Sequence, residues 1–366
     1  MTMKKERIAS VDILRGITIV AMILVNTPGT WSNVYPPLLH AAWHGLTPTD
    51  LVFPFFLFIV GISIAFAYKN KPRSAATYRK ILIRSAKLIG LGLFLNLFLP
   101  YFPFLKDIET LRIPGVLQRI GIVFCIAAIL NLHCHWKTLL GISVATLLLY
   151  WGFLGFVPLP DGTMPTFDRA PNNWANYIDV TVLGQHTWKA DYDPEGILST
   201  IPSVVTCLLG ILIGKLLMSY QNRKETILFI IAAVLLVLGY VFSYWFPINK
   251  AIWSSSFVLV TGGWAVFTLA IIYVVTDVLK LQFGTVFKYV GTNAITIYFL
   301  SSFISKTFYL TKIGTTDNIH SYLYQNIFVH SFLSDELSSL LYALSVVLFY
   351  IVLGYILFKK RIIIKV

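Results

Sequence analysis

Charge is scarce in this chain. Asp, Glu, Lys and Arg make up 12% of its 366 residues, roughly half the share of about 25% found in soluble domains. Long apolar runs separate the charges, and 57% of all residues are hydrophobic. Such a chain cannot clothe a water-facing surface. That excludes a soluble globular enzyme and leaves an all-α, polytopic membrane protein. Cysteine is scarcer still, at three residues. Cys125 and Cys207 lie inside apolar runs and Cys134 in a short connection, so no disulfide framework can be written. His133 and His135 flank Cys134, but no second ligand pair accompanies them, and no metal is expected. Also missing are a Gly/Ser linker, an evident internal repeat and a small-residue cleavage site after the first apolar run. Residues 1–366 therefore read as one transmembrane domain whose first helix is retained.

Acid is the rarer sign of charge. Sixteen acidic against 29 basic residues give a net charge of +13. The basic residues do not form a surface for nucleic acid. They gather in alternate connections: Lys4, Lys5 and Arg7; Lys69 to Lys80; Arg223 and Lys224; Lys359 to Arg361. This is the positive-inside pattern, and it places both termini in the cytoplasm with the lipid bilayer as the basic residues' context. A span needs about 20 apolar residues. About ten stretches qualify, near 10–26, 50–68, 80–100, 114–132, 136–157, 196–218, 225–246, 253–277, 286–305 and 336–358. The segment 318–333 reads as an interfacial helix.

Two connections on the opposite, outer face stand out. The stretch from Asn26 to Gly61 has no Lys or Arg, yet holds His40, His44, Asp50, Trp31 and Trp43. The segment 158–195 is the longest loop, and a loop of that length is usually functional or disordered. Its acids include Asp168, Asp179, Asp191, Asp193 and Glu195, and its aromatics Trp174, Tyr177, Trp188 and Tyr192. The aromatics argue for a packed cap or an interfacial belt. Acids with aromatics are also what sugar and amine sites use.

Polar groups at membrane depth are costly and mark function by default. Asp12 and Arg15 sit at the start of the first helix and Asn26 at its outer end, a rise of about 16 Å. That length matches an extended pantetheine arm. Gln118 and Arg119 lie just inside the fourth span, and Asn96, Asn293 and Lys250 add further polar points. Arg15 reads either as a positive-inside anchor or as a ligand group. Arg119 reads as a ligand group or as half of a helix-tying ion pair, and Asn293 as interhelical hydrogen-bond glue. His40 is the most informative residue, since imidazole suits proton transfer near neutral pH. Asp50 reads as the N-cap of the second span, placed also to orient His40 or His44. His44 follows His40 by four, so a helical loop would put both on one face. HAAWH lacks the glutamate of a metalloprotease, and a metal is again not expected.

Five pieces of the chain resemble one family: SVDILRG (10–16), the Asn26–Gly61 stretch containing HAAWHGLTPTDLVFPFFLFIVG, LRIPGVLQRIGI (111–122), YDPEGILSTIP (192–202) and NKAIWSSSFVL (249–259), with NYIDVTVLG (176–184) as a weaker sixth. In this order they resemble the heparan-α-glucosaminide N-acetyltransferase family, transmembrane acyltransferases with bacterial members. The resemblance implies transfer of an acetyl group from cytosolic acetyl-CoA to the amine of a glucosamine-like sugar across the membrane. It implies His40 as the catalytic histidine and Asn26 as its partner. A homodimer and a bacterial cytoplasmic membrane are implied as well. Where lysosomal members carry Asn-Gly after the tryptophan, this chain has His44-Gly45. Combined with the charge pattern, the resemblance assigns the CoA thioester to Arg7, Arg15, Gln118, Arg119 and Lys250. The amino-sugar acceptor falls to Trp43, His44, Asp50, Asp179 and Glu195. The competing reading is a secondary transporter of a small polar solute, since many carriers combine ten spans with buried charge.

Overall fold

The computed structural model describes residues 8–219, 222–314 and 317–364. Helices dominate: α1 (Ala9–Asn26), α2 (Pro48–Tyr68), α3 (Ala75–Leu97), α4 (Val116–His133), α5 (Trp136–Phe156), α6 (Trp174–Leu183), α7 (Ile197–Leu217), α8 (Lys224–Phe242), α9 (Ser255–Tyr273), α10 (Thr285–Thr292), α11 (Ala294–Leu310), α12 (Ile319–Ile327) and α13 (Asp335–Lys359). A two-residue hairpin, Lys312–Ile313 with Asp317–Asn318, precedes α12. Local chemistry sets many of the starts. Ser74, Asn173, Ser254, Asn318 and Ser334 each accept a backbone N–H of the first turn that follows, satisfying donors that the helix itself leaves free.

Among the described residues, eight helices are long and apolar enough to cross a membrane. Two further helices, α3 and α11, pack alongside them. Helix α3 carries Arg79, Lys80, Arg84 and Lys87, yet it runs antiparallel to α4 from end to end. Arg73 donates to the Leu132 carbonyl at one end, and Asn96 donates to the Arg112 carbonyl at the other. Helix α11 begins beside the tail after α13 and ends near the outer end of α3, where Lys306 donates to the Leu95 carbonyl. The segment 318–333, expected to form an interfacial helix, holds the short helix α12 over Ile319–Ile327.

Contacts between connections sort the molecule into two faces. On one face the 27–47 loop meets the 243–254 loop and the 157–196 cap, and Gly29 meets α13 and α12. On the other face the N–H groups of Ala9 and Ser10 bind Asp277 just beyond α9, and Asn293 holds the tail after α13. Both ends of the described chain therefore share a face, the one rich in Lys and Arg.

One expected span is not continuous. The stretch 286–305 is broken at Asn293 between α10 and α11. Asn293 is also not glue between helices, because its amide spends both ends on the tail. Its Nδ2 donates to the Ile362 carbonyl and its Oδ1 accepts from the Ile364 N–H, each at 2.9 Å.

Helix α7 is the most buried span at 72%, against 17% for α8, which lies at the lipid boundary. Two reciprocal glycines lock α2 onto α7. A Cβ on Gly61 would lie 2.0 Å from the Cys207 carbonyl oxygen, and one on Gly210 would lie 1.9 Å from that of Phe58. The backbones touch directly, fixing the helix that carries Asp50 against the helix that follows Glu195. Gly210→Ala must push these helices apart, and overpacking of this kind costs about 1–3 kcal/mol or more. Its thermal midpoint in detergent should fall by several degrees, whereas Gly141→Ala, with nothing within 4 Å of the added atom, should match or exceed the wild type.

Candidate active site

The loop after α1 is not helical through 40–47, so His40 and His44 do not share a helical face. They diverge to different partners. Helix α2 begins with a capping box in which Thr47, not Asp50, is the N-cap. Asp50 is the third helical residue. Its Oδ2 accepts from the N–H of Ala41 at 3.1 Å and from the N–H and hydroxyl of Thr47, each at 3.0 Å. Its Oδ1 lies 2.7 Å from His40 Nδ1. One carboxylate thus caps the helix, closes the loop and holds the imidazole.

That arrangement fixes the tautomer. A carboxylate can only accept, so Nδ1–H donates to Asp50 and the basic lone pair of His40 is on Nε2. The Asp50 side chain is 1% exposed and that of His40 49%, which makes the base reachable from the outer face. Lys250 completes the cluster. Its Nζ lies 3.0 Å from Nδ1 and 3.1 Å from Nε2 of His40, and 3.8 Å from Asp50 Oδ1. Near-equal distances to both ring nitrogens put the ammonium over the ring and out of line with either lone pair. Burial pulls the Lys250 pKa below its ordinary value, and the charges of Asp50 and Glu195 restore it only in part.

His44 belongs to the scaffold around this cluster. Its Nε2 lies 2.9 Å from Asp168 Oδ1, and its Nδ1 accepts from Asn249 Nδ2 at 3.3 Å. Trp43 donates its indole N–H to the Phe167 carbonyl and packs edge-on against Tyr192. Both side chains tie the 27–47 loop to the 157–196 cap. Trp174 and Tyr177 pack within that cap, while Trp188 remains largely exposed beneath the Arg112 guanidinium.

Asp179 and Glu195, two of the three acids expected to meet the acceptor, are engaged like Asp50 within the protein. Asp179 is 2% exposed, accepting from the N–H of Ile197 at 2.9 Å and of Asp193 at 3.3 Å. It caps the start of α7 and does not face open space. Glu195 pairs with Arg112, which also grips Asp193 through two nitrogens at 2.8 and 2.6 Å. Among the described residues Arg119 forms no ion pair. Its Nη2 bonds the Gly196 carbonyl and Ser199 hydroxyl, and its guanidinium lies 5.1 Å over Trp253, leaving buried Nε and Nη1 without partners. Gln118 donates to the Ile113 carbonyl and packs at the α3–α4 contact. Asn26 is exposed and closes α1 on the outer face, and its side chain bonds to no group among the described residues.

A separate cavity of about 380 Å³ opens toward the opposite face. Arg15 lines it, bonded to Asp12 and Ser63, each at 2.8 Å. So does Arg84 of α3, a residue that the sequence reading did not single out. Arg84 rests over Phe124, 4.8 Å from the ring centre, and its buried Nε has no partner. An arginine one turn inside the expected 80–100 span was the signal for it. Arg7 lies outside the described residues. Lys250 and Arg119 stand at the outer end with His40, remote in the fold from Arg15. Among the described residues no group of three or more His, Cys, Asp or Glu side chains could hold a metal, and the three cysteines are free thiols.

Asp179 generates a pH test. Burial pushes its carboxyl up to about 6, with the Asp193 charge adding to it and the bonds from Ile197 and Asp193 opposing. The folded state then holds more protons than the unfolded state between about pH 4 and 6, so this group favours folding as pH falls through that window. The limit for a shift of about two units is roughly 3 kcal/mol. The thermal midpoint of the wild type should rise relative to Asp179→Asn as pH is lowered from 7 to 4.5; a pH-independent difference between them would contradict the assignment.

The family profile described as "Heparan-alpha-glucosaminide N-acetyltransferase, catalytic" matches residues 7–244. A human (Homo sapiens) relative described as heparan-alpha-glucosaminide N-acetyltransferase is 35% identical over 351 residues, covering 80% of this chain and 52% of its own length. A mouse (Mus musculus) relative of the same description is 30% identical over 422 residues, covering 99% of this chain and 61% of its own length. The chain thus spans between half and two thirds of the length of these curated relatives. With a profile match across most of its residues and relatives at this identity, the chain belongs to the heparan-alpha-glucosaminide N-acetyltransferase family.

Proposed function

We propose that the protein is a transmembrane N-acetyltransferase. It draws acetyl-CoA from the cytoplasmic face and delivers the acetyl group to the amine of a glucosamine-like sugar on the outer face. One observation carries this reading: an aspartate-oriented histidine opens to one face, and an arginine-lined cavity opens to the other, with α1 and α2 running between them. A carrier has no need of an imidazole locked in one tautomer by a buried carboxylate.

The chemistry follows from the groups in place. The acceptor amine attacks the thioester carbonyl carbon, and His40 Nε2 takes the proton the amine sheds. Asp50 holds the imidazole in line and stabilises the cation it becomes. Negative charge grows on the thioester oxygen, where the Asn26 amide and the Lys250 ammonium are the donors at that end; one such donor is worth roughly 3–4 kcal/mol. The C–S bond then breaks, and the thiolate recovers a proton from the imidazolium. Acetyl-histidine formation on Nε2 before the sugar arrives uses the same geometry. Detection of acetyl-histidine after a rapid quench without acceptor would establish that route.

Donor recognition falls to Arg15 and Arg84 with the lining of the cavity, since guanidinium pairs strongly with phosphate. Arg7 of the basic N-terminal segment, Arg119 and Gln118 are further donor contacts in this reading. Arg119 offers its two unpartnered donors to the pantetheine arm, while Gln118 acts through the α3–α4 packing. Trp43, His44, Asp179 and Glu195 shape the acceptor side by holding the loop and the cap in place. The cellular setting proposed is a bacterial cytoplasmic membrane, with a homodimer as the assembly.

Protein reconstituted in liposomes, with acetyl-CoA on one side and glucosamine on the other, should release thiol on the first side and N-acetylglucosamine on the second. His40→Ala should lower the rate about 10²–10⁴-fold, and Asp50→Asn by about 10²-fold or more, with insertion unchanged. Wild-type turnover in His40→Ala would remove His40 from the chemistry. Arg84→Gln should raise the acetyl-CoA KM roughly tenfold, the scale of one charge-assisted bond, with a smaller effect on kcat. The same variant should leave the KM for acetyl-pantetheine, which lacks the nucleotide, near the wild-type value; equal losses for both donors would place Arg84 elsewhere.

A further inference from the structure

The cavity lined by Arg15 and Arg84 is partly walled by chain that no helix holds. Ile363 and Ile364, beyond the end of α13, form part of its lining. The Ile362 N–H still closes the last turn of α13 on the Leu357 carbonyl. From the Ile362 carbonyl onward, every hydrogen bond made by the described tail goes to one side chain, Asn293. That amide donates to one peptide group and accepts from another two residues on, imitating the edge of a strand. Asn293 stands at the break between α10 and α11, where the backbone leaves helical geometry at φ −120° and ψ 36°. The break is what frees this residue to face the tail.

Apolar burial adds little to the hold. Ile362, Ile363 and Ile364 remain 42%, 52% and 48% exposed. Three neighbouring isoleucines, half exposed and fastened by two neutral hydrogen bonds, form a weakly seated wall. Yet this wall lies beside two guanidinium groups, one of which has a buried donor without a partner. An anionic ligand reaching Arg84 from the terminal face meets isoleucine where it needs either water or a cation.

We propose that residues 362–364 are a displaceable gate across the donor cavity, latched by Asn293, and that the phosphorylated end of CoA is admitted when the latch opens. This rests on the reading of the cavity as the donor site. The consequence is an affinity reduced by the fraction of molecules in the open state. Loosening the latch raises that fraction and tightens donor binding, the opposite of what loss of a ligand contact does.

The test is CoA binding at equilibrium by calorimetry on the full-length protein in detergent, without acceptor. The variants are Asn293→Ala, the double change Ile363→Ser with Ile364→Ser, and Arg84→Gln. The gate predicts that the first two bind CoA about three- to tenfold more tightly than wild type, as the loss of one or two neutral hydrogen bonds allows. Arg84→Gln should bind roughly tenfold more weakly. The isoleucine pair leaves Asn293 and the helix break intact, so a gain shared by both tail variants cannot come from disturbance at the break. Unchanged or weaker binding in both tail variants, with Arg84→Gln still impaired, overturns the gate and keeps the donor site. Wild-type binding in Arg84→Gln overturns the donor site and the gate with it.

Discussion

The outer half of the molecule is organised by one carboxylate. Asp50 is almost fully buried and accepts from Ala41, from Thr47 twice and from His40. Removing a buried charge from such a set strands several donors at once, and each unsatisfied group costs about 1–3 kcal/mol. The start of α2, the closure of the 40–47 loop and the aim of the imidazole are therefore one event and not three. The helix macrodipole supports it, since a negative charge in the first turn of α2 is favoured there. Imidazole orientation and helix capping share the same carboxylate, so in the proposed reaction folding and turnover depend on one residue.

The two faces divide the problem that a membrane poses to group transfer. Polar donors are expensive at membrane depth, and here the charges sit toward the ends: Arg15 and Arg84 around a cavity on one side, His40 and Lys250 on the other. Between them α1 and α2 present apolar walls. The direct backbone contacts of Gly61 and Gly210 keep α2 from drifting relative to α7. Rigid helices make the separation of the two sites a fixed length, which in the proposed reaction a flexible arm on the donor spans.

Much of this was legible in the sequence, for a physical reason. Lipid forces long unbroken apolar runs, so span positions stand out and the charge between them reports the faces. The pairing of His40 with Asp50 was within reach because only ten residues separate them. The partner of His44, Asp168, lies 124 residues away, and nothing local announces it. Asp179 and Glu195 looked like acids waiting for a ligand; a capping role and an ion pair to Arg112 depend on which elements meet in space. The break at Asn293 was marked only by the short Gly291-Thr292-Asn293 run, which an apolar span can also tolerate. Arg84 is one of several basic residues along α3, and little local in the sequence sets it apart from Arg79, Lys80 and Lys87.

The Arg112 network carries a consequence for how the outer face works. A bidentate grip on Asp193 and a second contact to Glu195 pin the far end of the cap to the segment that leads into α4. Breaking a buried pair of this kind by removing one partner costs roughly 3–5 kcal/mol, far too much for a part that must swing with every turnover. The cap is accordingly a fixed roof, not a lid. In the proposed reaction, acceptors are sorted by how they fit against this fixed surface, and no closing motion of the cap is spent on choosing among them.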